Sequence, residues 1–140
     1  AHQDGLCLAG VKLNGRSSAV DKVNVLKALA VENISVDMIS LAAQTMCFVI
    51  QQQFRDKAEA VLKKAGFFVE WTAPCAKISV IGVGMQEVPG VMAKVAEILT
   101  QAQVPILHST DSEITISCLV PQDRMTQALR VLHDGFGLEN

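Results

Sequence analysis

The sequence predicts an α+β chain made of two copies of one βαββαβ unit, and three observations carry that reading. Strand-like and helix-like hydrophobic periods alternate along the chain. The 140-residue sequence, slid against itself by 70 positions, superposes on itself without an internal gap. Half of its residues are hydrophobic, enough to build a real core.

The first copy opens with the apolar run Leu6 to Leu13, which reads as a strand. Asn14-Gly15-Arg16-Ser17-Ser18 is turn chemistry, and Ser18 suits the N-cap of a helix over about 19–32. Val25, Ala28 and Leu29 line one face of that helix with Leu26 beside them, leaving Lys22, Lys27 and Glu32 to solvent until Asn33 ends it. Strands over 34–41 and 46–51 follow, joined tightly through Ala42 to Thr45. A second helix over about 56–65 gathers Ala58, Val61, Leu62 and Ala65 on one stripe, stops at Gly66, and gives way to a strand over 67–72.

From Lys77 the pattern begins again. KISVIGVGMQEVPGV starts as an alternating β-branched strand, loosens at Gly82 and Gly84, and turns at Pro89-Gly90 into a helix carrying Val91, Val95, Ile98, Leu99 and Ala102. Val25 falls on Val95, Leu29 on Leu99, Ile34 on Val104, Ala58 on Ala128, Val61 on Val131 and Leu62 on Leu132. Each copy is therefore expected to be an antiparallel sheet with two helices on one face, the ferredoxin-like or split βαβ arrangement. The expected units are 1–74 and 75–140, with residues 1–5 as a remnant of an upstream strand. The second copy reaches Asn140 before its last strand, whose counterpart would lie at about 139–142. An incomplete sheet edge, or a strand borrowed from the far end of the chain, is the expectation, because an open edge invites association.

Composition excludes several classes of function. With 12 basic against 14 acidic residues, a pI near 5.9 and no Tyr, the chain has neither the charge nor the aromatics of a nucleic-acid binder. Cys7, Cys47, Cys75 and Cys118 lie far apart, which speaks against zinc and disulfides and suits a cytoplasmic protein. No run is long or apolar enough to span a bilayer, and Ala1 to Gly5 does not open a signal peptide.

Catalysis needs a nucleophile, base or metal in mutual reach, and no such set stands out. His2, His108 and His133 are scattered; His133 suits a solvated or capping role, while His108 follows the second copy's first helix near the mouth of a candidate pocket. That pocket rests on the strand-to-helix turns, which aim free N–H groups forward and suit a small carboxylate; an ordinary connection is the alternative. Gly82-x-Gly84 lacks the third glycine of a dinucleotide loop, since Glu87 stands there. Asp37 lies among apolar neighbours, so it either faces solvent or recognises an ammonium group. Asp21 and Glu87 near the helix starts would repel a bound carboxylate, so two equivalent pockets are not expected.

The second half, through KISVIGVGM, VPGV, AKV, VPILHSTDSEITISCLV and ALRVLHDGF, resembles the C-terminal regulatory region of bacterial aspartate kinases. The first half, through NISVDMI, a short hairpin and an Ala-x-x-Val-Leu helix, resembles the regulatory repeat before it, a tandem pair of ACT domains. The resemblance implies a non-catalytic regulatory module. Its parent would be a kinase that phosphorylates aspartate with ATP and Mg, on the route to lysine, threonine, methionine and diaminopimelate. It further implies an upstream kinase domain, a homodimer through the ACT units, and an amino-acid effector: meso-diaminopimelate, lysine or threonine. Ser18, Ala19, Val20 and Asp21, with Val36, Asp37 and Met38, match effector-contacting positions of the first unit. Gly84, Met85, Gln86, Glu87, Val88, Pro89, Gly90 and Val91 match the second loop, with Ile106, Leu107 and His108 on the facing strand. Leu41, Ala42 and Ala43 depart from the polar residues of threonine- or lysine-sensitive members, and the likeness is nearest to diaminopimelate-sensitive ones. A ligand-free assembly domain is the alternative. An acyl-phosphate hydrolase of the same shape is remote, because Met85-Gln86-Glu87 offers no arginine.

Overall fold

The computed structural model describes residues 2–13, 18–42, 44–81, 88–112 and 115–136. The chain falls into two compact units, one of Gly5–Ala73 and the other of the chain from Pro74 together with the opening residues up to Asp4. In order, the elements are β1 (His2–Lys12), α1 (Ser18–Val31), β2 (Asp37–Leu41), β3 (Thr45–Gln51), α2 (Arg55–Lys64), β4 (Val69–Ile81), α3 (Val88–Gln101), β5 (His108–Asp111), β6 (Thr115–Pro121) and α4 (Met125–Phe136). A 3₁₀ turn precedes α2 at Gln52–Phe54 and α4 at Gln122–Arg124.

In the first unit the strand order is β2-β3-β1-β4, all of it built from Gly5–Lys12 of β1 and Val69–Ala73 of β4 with β2 and β3. Alternation places Cys7, Ala9, Val11, Met46, Phe48, Ile50 and Val69 on one face, and these pack with Val25 and Leu29 of α1 and Ala58 and Leu62 of α2. One stripe of strand residues thus meets both helices. The second unit repeats this with Ala76, Ile78, Ile116, Cys118 and Val120 against Val95, Leu99, Ala128 and Leu132. Its order is β5-β6-β4, and the outer place beside β4 is held by His2–Asp4, the first residues of β1. The edge place beside β4 in the second unit is therefore taken by a segment from the far end of the chain, one of the two expected outcomes. Residues 137–140, where the second copy's own last strand would begin, lie outside the described residues.

Two sequence expectations need correction. Residues 67–72 and 77 onward are not separate strands; β4 runs unbroken from Val69 to Ile81 through Pro74. Proline reads as a break in sequence, but here it falls where the strand passes from one unit to the other. Gly5 marks the corresponding passage in β1, with a φ of 67° that other residues adopt only with strain. The repeat is also not free of gaps. Helices and later strands repeat at 70 positions, yet Ala9 pairs with Phe48 while Ile78 pairs with Cys118, so the opening strand repeats at 69. The connection from Ile81 to Val88 is one residue longer than that from Lys12 to Ser18. Apolar side chains on both faces of these strands hide the slip in the sequence.

Both first helices end alike. Ile34 N–H donates to Leu29 O at 3.0 Å and Asn33 N–H to Ala30 O at 2.9 Å, and Val104 and Gln103 repeat these bonds to Leu99 and Thr100 at 2.9 and 3.0 Å. These are Schellman closures, which need a left-handed residue; Asn33 has φ 60° and Gln103 φ 59°. Asparagine tolerates that conformation and glutamine gains nothing from it. Gln103→Gly is expected to raise stability by about 0.5–1 kcal/mol in urea denaturation. Deleting the first four residues should leave β4 of the second unit with an open edge. Losing the few hydrogen bonds they make is expected to cost about 1–3 kcal/mol, seen as a lower melting temperature, with association detectable by light scattering.

Candidate functional site

The residues matched to an effector site fall into separate groups. Ala19 and Val20 are exposed in the first turn of α1 and Asp21 is half-buried behind them. Val36, Asp37 and Met38 lie at the start of β2, an edge strand of its sheet. Val36 packs on the core and Met38 is buried, while Asp37 is exposed. Asp37 Oδ1 accepts the Met38 N–H at 2.8 Å, and Met38 takes φ 50°. The ladder shifts between Asp37 and Ser40, so β2 is kinked beside the carboxylate.

Sheet register shows which groups meet. Asp37 pairs with Val49, and Val49 with Leu8, whereas the chain leaves β1 for α1 after Lys12. The end of β1 that leads towards α1 is thus four residues, roughly 13 Å, further along the sheet than Asp37, and two strands away.

In the second unit Gly90 is exposed, Val91 packs on the core, and Ile106, Leu107 and His108 are half-buried ahead of and at the start of β5. Leu107 N–H donates to Leu119 O at 2.7 Å, and β5 pairs with β6 without a register shift. His108 and Lys77 both pair with Leu119, so His108 is likewise four residues short of Ile81, where β4 ends. Gly84, Met85, Gln86 and Glu87 lie outside the described residues, as do the side chains of Ser18, Val88 and Pro89. The two units differ in charge where they correspond. Asp21 occupies the first turn of α1 and that of α3 has no acid; Asp37 corresponds to Leu107.

Open hollows on the described surface lie beside His2, Gln3, Lys77 and Ser79, beside Glu59, Lys63, Gly66, Phe67 and Phe68, and beside Thr100, Gln103, Val104, Pro105, Ile106 and Arg124. Of the predicted site residues, Ile106 lines the last. Among the described residues no group of three or more His, Cys, Asp or Glu side chains could hold a metal ion. His133 Nδ1 lies 3.7 Å from Asp134. None of the four cysteines is in a disulfide, and burial pushes the Cys118 thiol from 9.0 up to about 11. A thiol so placed is neutral at physiological pH and a poor nucleophile.

Residues 71–134 match the ACT domain family. Over 117 residues, 84% of this chain, the sequence is 34% identical to Aspartokinase 1 of Bacillus subtilis (strain 168), and it spans 29% of that protein's length. In structure it is similar to a chain of the aspartokinase alpha and beta subunits, with a TM-score of 0.89 at 27% identity, covering 99% of this chain and 97% of that one. The chain belongs to the ACT-domain regulatory regions of aspartokinases. The ligand-free regulatory subunit of aspartate kinase from Thermus thermophilus is similar to this region along nearly its whole length, with a TM-score of 0.85 at 27% identity, covering 97% of this chain and 95% of that one. No helix of this ACT region, among the described residues, is long and apolar enough to cross a membrane.

The Cys118 environment gives a pH signature. Above pH 9 the unfolded thiol loses its proton while the folded one keeps it until about 11, so the unfolded state binds fewer protons and stability falls as pH rises. Stability is expected to be flat in this respect below about pH 9 and to decline by up to roughly 3 kcal/mol by about pH 11. Urea denaturation across that range should show a decline in the wild type in excess of that in Cys118→Ala.

Proposed function

We propose that this ACT region senses a free amino acid of the aspartate pathway and passes its binding to an aspartate kinase domain, giving feedback control of lysine, threonine, methionine and diaminopimelate synthesis. The observation that carries the reading is the Asp37–Met38 pair. An exposed carboxylate on an edge strand, oriented by the 2.8 Å bond from Met38 N–H and set off by a kink, is a fixed acceptor for an ammonium group. Its distance from the end of β1, where the chain turns towards α1, favours a site completed by a second copy of the chain. Both elements carry exposed apolar side chains: Val20 is 62% exposed and Val23 49% on α1, and Ile39 40% and Leu41 53% on β2. A homodimer formed over these side chains would set Asp37 of one copy against the helix start of another. meso-Diaminopimelate is the first candidate effector, on the overall likeness of the sequence to diaminopimelate-sensitive members, followed by lysine and threonine.

An effector regulates only by binding two arrangements unequally, and coupling of about 1–3 kcal/mol is ordinary. The same exposed apolar set also favours a second reading, a ligand-free assembly domain. Calorimetry of the chain with meso-diaminopimelate, lysine and threonine separates them. Saturable heat with one of the three is expected, with affinity lowered at least about tenfold (about 1.4 kcal/mol) in Asp37→Asn. No heat from any, together with a ligand-independent dimer in sedimentation, would leave only the assembly role.

A further inference from the structure

The two units differ at the end of their first helix, where an apolar side chain packed on the core in one gives way to a charged one beside an open groove in the other. In the first unit Phe54, the last residue of the 3₁₀ turn, packs on the hydrophobic core. Its counterpart 70 positions on is Arg124, and there the structure has an open groove of about 630 Å³ lined by Thr100, Gln103, Val104, Pro105, Ile106 and Arg124. The size is that of a small-molecule site.

A second exchange accompanies the first. Lys57 in α2 reaches back to the end of α1, its Nζ donating to Glu32 O at 3.4 Å and lying 3.4 Å from Glu32 Oε2. Gln127, the counterpart of Lys57, makes the same tether in the second unit: its Nε2 donates to Ala102 O at 3.0 Å. Unlike an ammonium, an amide also has an acceptor oxygen, and Gln127 Oε1 accepts Arg124 Nη1 at 3.0 Å. The guanidinium is thus braced against α3 through one nitrogen. Its Nε–Nη2 edge is left for a bidentate partner, and among the described residues no carboxylate pairs with it.

We propose that this groove is a ligand site in the second unit for a carboxylic acid with an aliphatic body and no ammonium group. Arg124 takes the carboxylate as a two-bond fork, Thr100 and Gln103 offer neutral hydrogen bonds, and Val104, Pro105 and Ile106 receive the apolar body. The lining has no acid to meet an ammonium, so the second charge of a zwitterionic amino acid would gain no partner and would lie near the like-charged Arg124 guanidinium. The site is therefore distinct in chemistry from the one at Asp37 and does not depend on it.

Titration of the ¹⁵N-labelled 140-residue chain with 4-methylpentanoate, 4-methylpentanamide and leucine, followed by amide NMR, tests the proposal. The three probes share one aliphatic body and differ in charge. Saturable shifts confined to Thr100–Ile106 and Arg124 are expected with the acid, with the amide and leucine at least about tenfold weaker. Arg124→Gln should weaken the acid at least about tenfold. Arg124→Lys, which keeps the charge and loses the fork, should fall between, and Arg124→Phe should abolish binding by plugging the groove. Absence of shifts with the acid, equal response to acid and amide, equal binding of leucine, or unchanged affinity in Arg124→Gln would each overturn it; the last would leave Arg124 as a cation at a helix C-terminus.

Discussion

The helix-to-sheet contact made by Val25, Leu29, Ala58 and Leu62, and again by Val95, Leu99, Ala128 and Leu132, constrains everything else in each unit. None of these side chains is more than 3% exposed. Each Val or Leu so buried contributes on the order of 1.5–3 kcal/mol, and the alanines keep α2 and α4 close to their strands. A change of period in either helix would carry this stripe off the sheet. The ends of the helices, and so the connections that follow them, are fixed by the same contact: the Schellman closures at Asn33 and Gln103 lead directly into the buried Ile34 and Val104.

With the core duplicated, the informative positions are those where the copies differ. At an offset of 70, Asp21 corresponds to Val91, Asp37 to Leu107, Met38 to His108, Phe54 to Arg124 and Lys57 to Gln127. None of the ten belongs to the fully buried stripe, so packing alone does not dictate them. They alter charge, kink one strand and not the other, and open one hollow. A duplicated fold can diverge at such positions while the stripe of helix and strand residues that holds each unit together is kept.

Much of the fold was legible because helix periods and stop signals are local. Val91, Val95, Ile98, Leu99 and Ala102 all lie on the core side of α3, and α2 closes at Gly66, where Phe67 N–H donates to Leu62 O at 2.9 Å. The use of the opening residues in the second unit was legible too, as one of the two outcomes expected for that unit's sheet edge. The details that escaped depend on partners distant in sequence. Pro74 looks like a terminator unless the neighbouring strand is known, and the one-residue slip of β4 is visible only in its pairing with β6. The candidate site was harder still. Asp37 could be singled out from its apolar neighbours, but its level on the sheet relative to the end of β1 follows from cross-strand register. Arg124 gave no signal, being one charge in a polar turn until the repeat is read in three dimensions.

The same comparison bears on how binding at Asp37 could be felt elsewhere. β2 and β5 are equivalent elements, yet β2 is kinked with Met38 at φ 50°, while β5 runs without a shift in pairing. Holding a side chain such as methionine in that region costs on the order of 1–3 kcal/mol. That is the size of an ordinary allosteric coupling. The fold accommodates both forms of this strand, since each is present in one of the two units, and the straight form differs by a local backbone change and one Asp Oδ1 to N–H bond. An effector seated on the Asp37 carboxylate would bind the kinked form in preference. The free energy separating the two forms is then available to any contact made by the exposed edge of β2, which includes Ile39 and Leu41.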